Sequence, residues 1–156
     1  MSAQDLKVSK LTPTIGAELS GIDLNSDLDS ATLNAIYDAL IDNLVIFFRD
    51  QDLSPAGHLR LARSFGEPQP PHPVYPHVED FENIMVLAND AKTPPDTDGW
   101  HADVTYQANP PFASILCARE VPDCGGDTQW ASMYAAYDAL PDGVKADLAD
   151  MTAVHD

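Results

Sequence analysis

In Trp100-His101-Ala102-Asp103-Val104-Thr105-Tyr106, residues 101–106 read as a short strand preceded by a large aromatic, and that reading decides what kind of sheet the later half of the chain builds. In an extended segment alternate side chains point to one face, so the imidazole of His101 and the carboxylate of Asp103 converge. Neutral imidazole with carboxylate suits a non-haem Fe(II) site, whose usual set is two histidines and one carboxylate. His-x-Asp also arises by chance, and an imidazole hydrogen-bonded to a carboxylate at a strand end satisfies the same spacing without metal. Downstream of Asp103 the only further histidine is His155.

Working outward, Asn89 to Gly99 reads as a surface loop that delivers the chain to His101, and Ile84 to Ala88 as the strand before it. Ala113 to Arg119 and Thr128 to Ala131 read as further strands, with a turn at Asp123 to Gly126. Ser132 caps a helix to Leu140, and Pro141 opens another to about Met151. Towards the N-terminus, Leu6 to Leu11 and Ile15 to Leu19 read as strands joined by a turn at Thr12-Pro13-Thr14. A helix capped by Ser30 follows, with Leu33, Ile36, Tyr37, Leu40, Ile41 and Leu44 as a core-facing stripe at helical spacing. Leu44 to Phe48 is a continuous apolar run that fits a strand buried on both faces. Ser54-Pro55 starts a second helix that ends at Gly66. Residues 67–77 are punctuated by proline but carry His72, Tyr75 and His77, which reads as an ordered loop of the kind that lines sites. The spacing after residue 84 suits an antiparallel barrel or jelly roll more than a doubly wound sheet. No glycine-rich nucleotide loop and no G-x-S-x-G elbow occurs.

The 156 residues amount to one domain or a piece of a larger one, with no internal repeat. With 25 acidic against 8 basic residues, the net charge of −17 would repel phosphate backbones and anionic lipid. Nucleic acid and membrane are therefore not expected partners, and an anionic small molecule needs a local basic anchor. After Arg119 the only base is Lys145. No apolar run approaches the roughly 20 residues that span a bilayer, and the N-terminus lacks the apolar core of a secretory signal. Cys117 and Cys124 form neither a disulfide framework nor a zinc signature, so the expected location is cytoplasmic with both thiols reduced.

Three stretches in collinear order carry a resemblance: Trp100 to Tyr106, Pro110-Pro111, and Gly125-Gly126-Asp127-Thr128-Gln129-Trp130-Ala131. With Gly16 to Leu24, Val45 to Gln51, His72 to His77, Ala135-Ala136-Tyr137 and His155-Asp156, the chain resembles the TauD/TfdA family throughout. These are Fe(II)- and 2-oxoglutarate-dependent dioxygenases. The resemblance implies an α+β, mainly β fold, a double-stranded β-helix (jelly roll) with flanking helices that is incomplete in this chain. Residues 1–156 are then the N-terminal part of a single such domain.

Position by position, the resemblance makes His101 and Asp103 two of three iron ligands and Thr128 a contact to a carboxylate of 2-oxoglutarate. It assigns His72 and Tyr75 to the substrate's sulfonate and amine ends, and the Val104 backbone N–H to the sulfonate. The bland alternatives are loop packing for His72 and Tyr75 and a β-branched strand residue for Thr128. His58 and His77 inherit no ligand role; His58 reads as an exposed or capping helix residue. Thr97 stands where taurine enzymes carry an asparagine that meets substrate, which turns attention from taurine to related anions, including those of alkylsulfatases and aryloxyalkanoate dioxygenases. Ala102 replaces a frequent threonine or serine and should face away from the metal. The family's distal histidine and its arginine anchors correspond to positions beyond 156, so this chain is read as the near part of the centre.

The implied reaction joins 2-oxoglutarate, O₂ and a small anionic substrate to give succinate, CO₂ and a hydroxylated product, which for a sulfonate collapses to aldehyde and sulfite. The alternatives are a catalytically incomplete member of the family and, further off, a two-ligand metal protein or an assembly that borrows its missing histidine. An unclosed barrel edge would invite association, so a homo-oligomer is among the expected states.

Overall fold

The strands and helices of the first half are set by local signals. In the computed structural model, which describes residues 5–90, 92–94 and 99–154, β1 (Lys7–Lys10) and β2 (Ala17–Ser20) form an antiparallel pair with Lys7 opposite Ser20. The turn between them is closed by Leu11 N–H donating to Gly16 O at 2.9 Å, while the Thr12 hydroxyl accepts the N–H of Ile15 at 3.0 Å. α1 (Ser30–Asn43) then crosses over to β3 (Ile46–Phe48), which lies parallel to β2, giving the sheet order β1-β2-β3. α2 spans Pro55–Phe65. β4 (His77–Val78) and β5 (Phe81–Met85) form a separate antiparallel hairpin. Two short helices, α3 (Met133–Asp138) and α4 (Asp142–Leu148), complete the described elements.

The chain clusters into two compact units, one of residues 1–52 with 118–152, the other of 53–117 with 153–156. The first holds the three-stranded sheet and α1, α3 and α4; the second holds α2 and the hairpin. Burial in the first unit concentrates on Ala17, Leu19, Ile22, Leu24, Ile36 and Ala39, and in the second on Leu53 and Leu61. Gln51 ties the chain after β2 to the end of β3: its Oε1 accepts from Leu24 N–H at 2.9 Å, and its Nε2 donates to Arg49 O at 3.1 Å. Phe47 on β3 meets Trp130 edge to face, with centroids 5.4 Å apart, and the Arg49 guanidinium lies over the same ring.

Several expectations need correction. Asp29, not Ser30, caps α1: its carboxylate accepts Thr32 N–H at 2.7 Å, and Ser30 is the first helical residue. The buried face of α1 is Thr32, Ile36, Ala39 and Asn43, while Tyr37 and Ile41 are 44% and 49% exposed. Leu44 ends the helix in the left-handed region, φ 65°, rather than continuing the stripe. Among the described residues β3 is an edge strand and only half-buried, not buried on both faces. The expected strand Ile84 to Ala88 is shifted to Phe81–Met85, and its partner β4 begins at His77, which had been placed in the loop.

The larger correction concerns 101–106, 113–119 and 128–131, none of which is a strand; residues 103–106 form a turn. A strand exists only through a ladder with a partner, and the described residues bring none alongside these segments. Helix therefore outweighs strand among the described residues, and the α+β description holds without the expected predominance of β. α2 begins after Ser54 as expected, with the Ser54 hydroxyl accepting Gly57 N–H at 3.1 Å and Pro55 in the first turn. No helix among the described residues is long and apolar enough to cross a membrane.

Candidate metal centre

The turn that replaces the expected strand still brings the two candidate ligands together. His101 Nε2 and Asp103 Oδ1 are 3.3 Å apart, and both side chains are 57% exposed. His101 Nδ1 is 2.9 Å from Gly99 O, a contact that places a proton on Nδ1 and directs Nε2 at the carboxylate. On the far side of Asp103, the Ser114 hydroxyl donates to Oδ2 at 3.2 Å. Val104 follows with φ 55°, unusual for a β-branched residue, and its carbonyl accepts Gln107 N–H at 3.1 Å to close the turn.

Two chemical states satisfy this arrangement. A doubly protonated imidazolium can donate to both Gly99 and Asp103. Alternatively, a neutral imidazole presents its Nε2 lone pair beside the carboxylate, and a cation between them removes the repulsion. Two ligands cis on a metal, at bonds of about 2.1 Å and right angles, lie roughly 3 Å apart. The observed separation and the His/Asp donor set therefore fit a divalent metal such as Fe(II). Among the described residues no group of three or more His, Cys, Asp or Glu side chains converges for a metal, so the pair has no third protein ligand there.

His72 and Tyr75 lie in the same unit. Their rings meet at a tilt of 44° with centroids 4.7 Å apart, and His72 Nδ1 accepts the backbone N–H groups of Val74 and Tyr75 at 3.2 and 3.3 Å. The loop is held further by Asn83 Nδ2 donating to Gln69 O at 2.8 Å. His58 is not merely exposed or capping: its Nε2 is 3.0 Å from Ile115 O, tying α2 to the segment that carries Ser114. Thr128 belongs to the other unit, on an exposed stretch after Gly125 and Gly126, whose φ values of 75° and 69° only glycine adopts readily. Thr97 and His155 lie outside the described residues. Ser114 was not singled out from sequence; the signal was a lone hydroxyl inside the apolar run Ala113 to Cys117.

An imidazole and a carboxylate two residues apart, each with an outer hydrogen-bond partner, are groups that can hold a divalent metal. The chain belongs to the taurine catabolism dioxygenase TauD, TfdA family, whose model matches residues 7–156. It is 40% identical over 153 residues to an alkylsulfatase of Acinetobacter baylyi, covering 97% of this chain and 47% of that protein. It is 41% identical over 155 residues to an alpha-ketoglutarate-dependent sulfate ester dioxygenase of Pseudomonas putida, covering 98% and 50%. A taurine dioxygenase structure from Burkholderia xenovorans superposes with a TM-score of 0.81 at 37% identity, over 94% of this chain and 51% of that one. The chain thus spans about half the length of the relatives it matches.

Proposed function

We propose that this chain carries the N-terminal share of an Fe(II)- and 2-oxoglutarate-dependent dioxygenase centre, within a single jelly-roll domain. The observation that carries the reading is the cis-ligand separation of His101 Nε2 and Asp103 Oδ1, 3.3 Å, with each group anchored from behind. His101 and Asp103 would hold the iron, Thr128 would hydrogen-bond a carboxylate of 2-oxoglutarate, and His72, Tyr75, the Val104 N–H and Thr97 would face the substrate. When bound, iron supplies the dioxygen chemistry that converts 2-oxoglutarate to succinate and CO₂ and places one oxygen on substrate carbon. His72 has Nδ1 occupied by two backbone N–H groups, so its neutral ring presents an Nε2–H donor to an anionic oxygen.

The substrate class we assign is a small anion bearing a sulfate ester or sulfonate. Support comes from the relatives named for sulfate esters and from Thr97, which lacks the amide that taurine enzymes place there. Oxidation at the carbon bearing the group gives an adduct that collapses to an aldehyde with loss of sulfate or sulfite. O₂ and a cytoplasmic setting go with the same reading.

The test, made with the full-length protein, is succinate formation from 2-oxoglutarate with Fe(II), O₂ and a panel of alkyl sulfates, sulfonates including taurine, and aryloxyalkanoates. Coupled succinate with a sulfate ester or sulfonate supports the reading; coupling only with aryloxyalkanoates overturns the substrate class. No succinate with any of these substrates overturns the dioxygenase reading.

A further inference from the structure

A carboxylate can use one oxygen or both on a metal, and the choice decides how many positions stay open. With two histidines and one monodentate carboxylate, three positions of an octahedron remain; a bidentate carboxylate removes one of them. Rotation about the terminal torsion of an aspartate is soft, so the choice must be imposed from outside. In this chain Asp103 Oδ1 faces His101 Nε2 and Oδ2 is engaged by the Ser114 hydroxyl at 3.2 Å. Ser114 itself is placed by the fold. Pro110-Pro111 restrict the backbone leading to it, and the carbonyl of the next residue, Ile115, is fixed to His58 on α2 at 3.0 Å.

We propose that Ser114 is a positioning residue of the metal centre: its hydroxyl holds Asp103 Oδ2, so that Oδ1 alone meets the metal beside His101 Nε2. The proposal rests on the metal reading of His101 and Asp103. Ser114 does for the carboxylate what the Gly99 carbonyl does for the imidazole, and the two outer partners act on opposite sides of the pair. Outer partners of this kind set ligand orientation, and their loss typically weakens metal binding 10–100-fold.

The experiment is anaerobic titration of the chain with Fe(II), and with Co(II) as a spectroscopic substitute, for the parent, Ser114→Ala, Ser114→Thr and His101→Ala. Thermal unfolding of each metal-free protein is recorded alongside. Ser114→Ala is expected to bind Fe(II) roughly 10–100-fold more weakly. Its Co(II) d–d bands should also differ from the parent's as the second carboxylate oxygen becomes free to coordinate. Ser114→Thr, which keeps the hydroxyl, should return both to near the parent, and the melting temperature should not move because both side chains are exposed. Parent-like Fe(II) affinity and Co(II) bands in Ser114→Ala, with affinity lost in His101→Ala, overturn the role of Ser114 and leave the metal reading standing. A loss in Ser114→Ala that follows a lowered melting temperature and is not restored by threonine also overturns it. If His101→Ala binds like the parent, the metal reading and the proposal fall together.

Discussion

His72 Nδ1 accepts the backbone N–H of Val74 at 3.2 Å, and that bond decides which nitrogen of the ring is left to act. Because Nδ1 supplies the lone pair, the proton of the neutral ring sits on Nε2. On the proposed reading, His72→Ala removes a donor to the substrate anion. A hydrogen bond to a charged group is worth about 1.5–3 kcal/mol, so KM should rise roughly 10- to 150-fold with kcat little changed. His72→Gln, which can place an amide N–H near Nε2, should recover part of the loss. Steady-state succinate kinetics check this, and an unchanged KM in His72→Ala removes His72 from the substrate site.

Gln51 should be sensitive to the identity of its two terminal atoms. Its oxygen accepts from Leu24 N–H, while its nitrogen faces the carbonyls of Ile22 and Arg49. Gln51→Glu keeps the acceptor but sets a carboxylate oxygen against two carbonyls. It should therefore destabilise more than Gln51→Leu, which leaves Leu24 N–H unpaired at about 1–3 kcal/mol. Denaturant unfolding of the two variants gives the order.

Two positions with positive φ should respond in opposite directions to substitution. Gly21 has φ 92°, and a Cβ there would run into the backbone of Asp5, so Gly21→Ala should cost upwards of about 1–2 kcal/mol from the dihedral alone. Asp80, φ 64°, occupies the two-residue turn of the β4–β5 hairpin and is exposed. Asp80→Gly relieves the left-handed conformation and should stabilise the chain by roughly 0.5–1 kcal/mol. Melting temperatures of the two variants should move apart.

Asp29 gives α1 a pH dependence. The backbone N–H of Thr32, donating to its carboxylate, holds the Asp29 carboxyl below its ordinary value of 3.8. The folded value is the lower one, so the capping contribution is complete above the unfolded pKa and is lost as pH falls through the folded pKa. Asp29→Asn, which still caps, should lose that acid-dependent part. Helical circular dichroism followed from pH 6 downward distinguishes the two proteins; identical acid profiles would remove Asp29 as the titrating cap.

How much of this was legible in the sequence depended on whether the signal was local. α2 was readable because Ser54, Pro55 and Gly66 punctuate it within its own segment. The existence of α1 was readable too, but its buried face was not. Leu33, Tyr37 and Ile41 advertise hydrophobicity, whereas the helix buries Thr32, Ile36, Ala39 and Asn43, two of them polar and so outside any apolar stripe. Strands at 101–106, 113–119 and 128–131 were inferred from alternation and apolar runs, yet strand formation is a property of pairs of segments. The convergence of His101 with Asp103 survived that error because residues two apart can meet on a turn as well as on a strand. Ser114 was invisible for the opposite reason: eleven residues separate it from Asp103 and no periodicity links them.

From Gly99 to Val154 no residue is buried, whereas the fully buried side chains Leu19 and Thr32 belong to the first third of the chain. Among the described residues, Trp100, Tyr106, Ser114, Thr128 and the candidate ligands stand outside the core that those side chains form. Substitutions there take no packed side chain out of that core, so a change in metal binding that they cause reports on the His101–Asp103 pair and its partners rather than on the buried packing around Leu19 and Ile36.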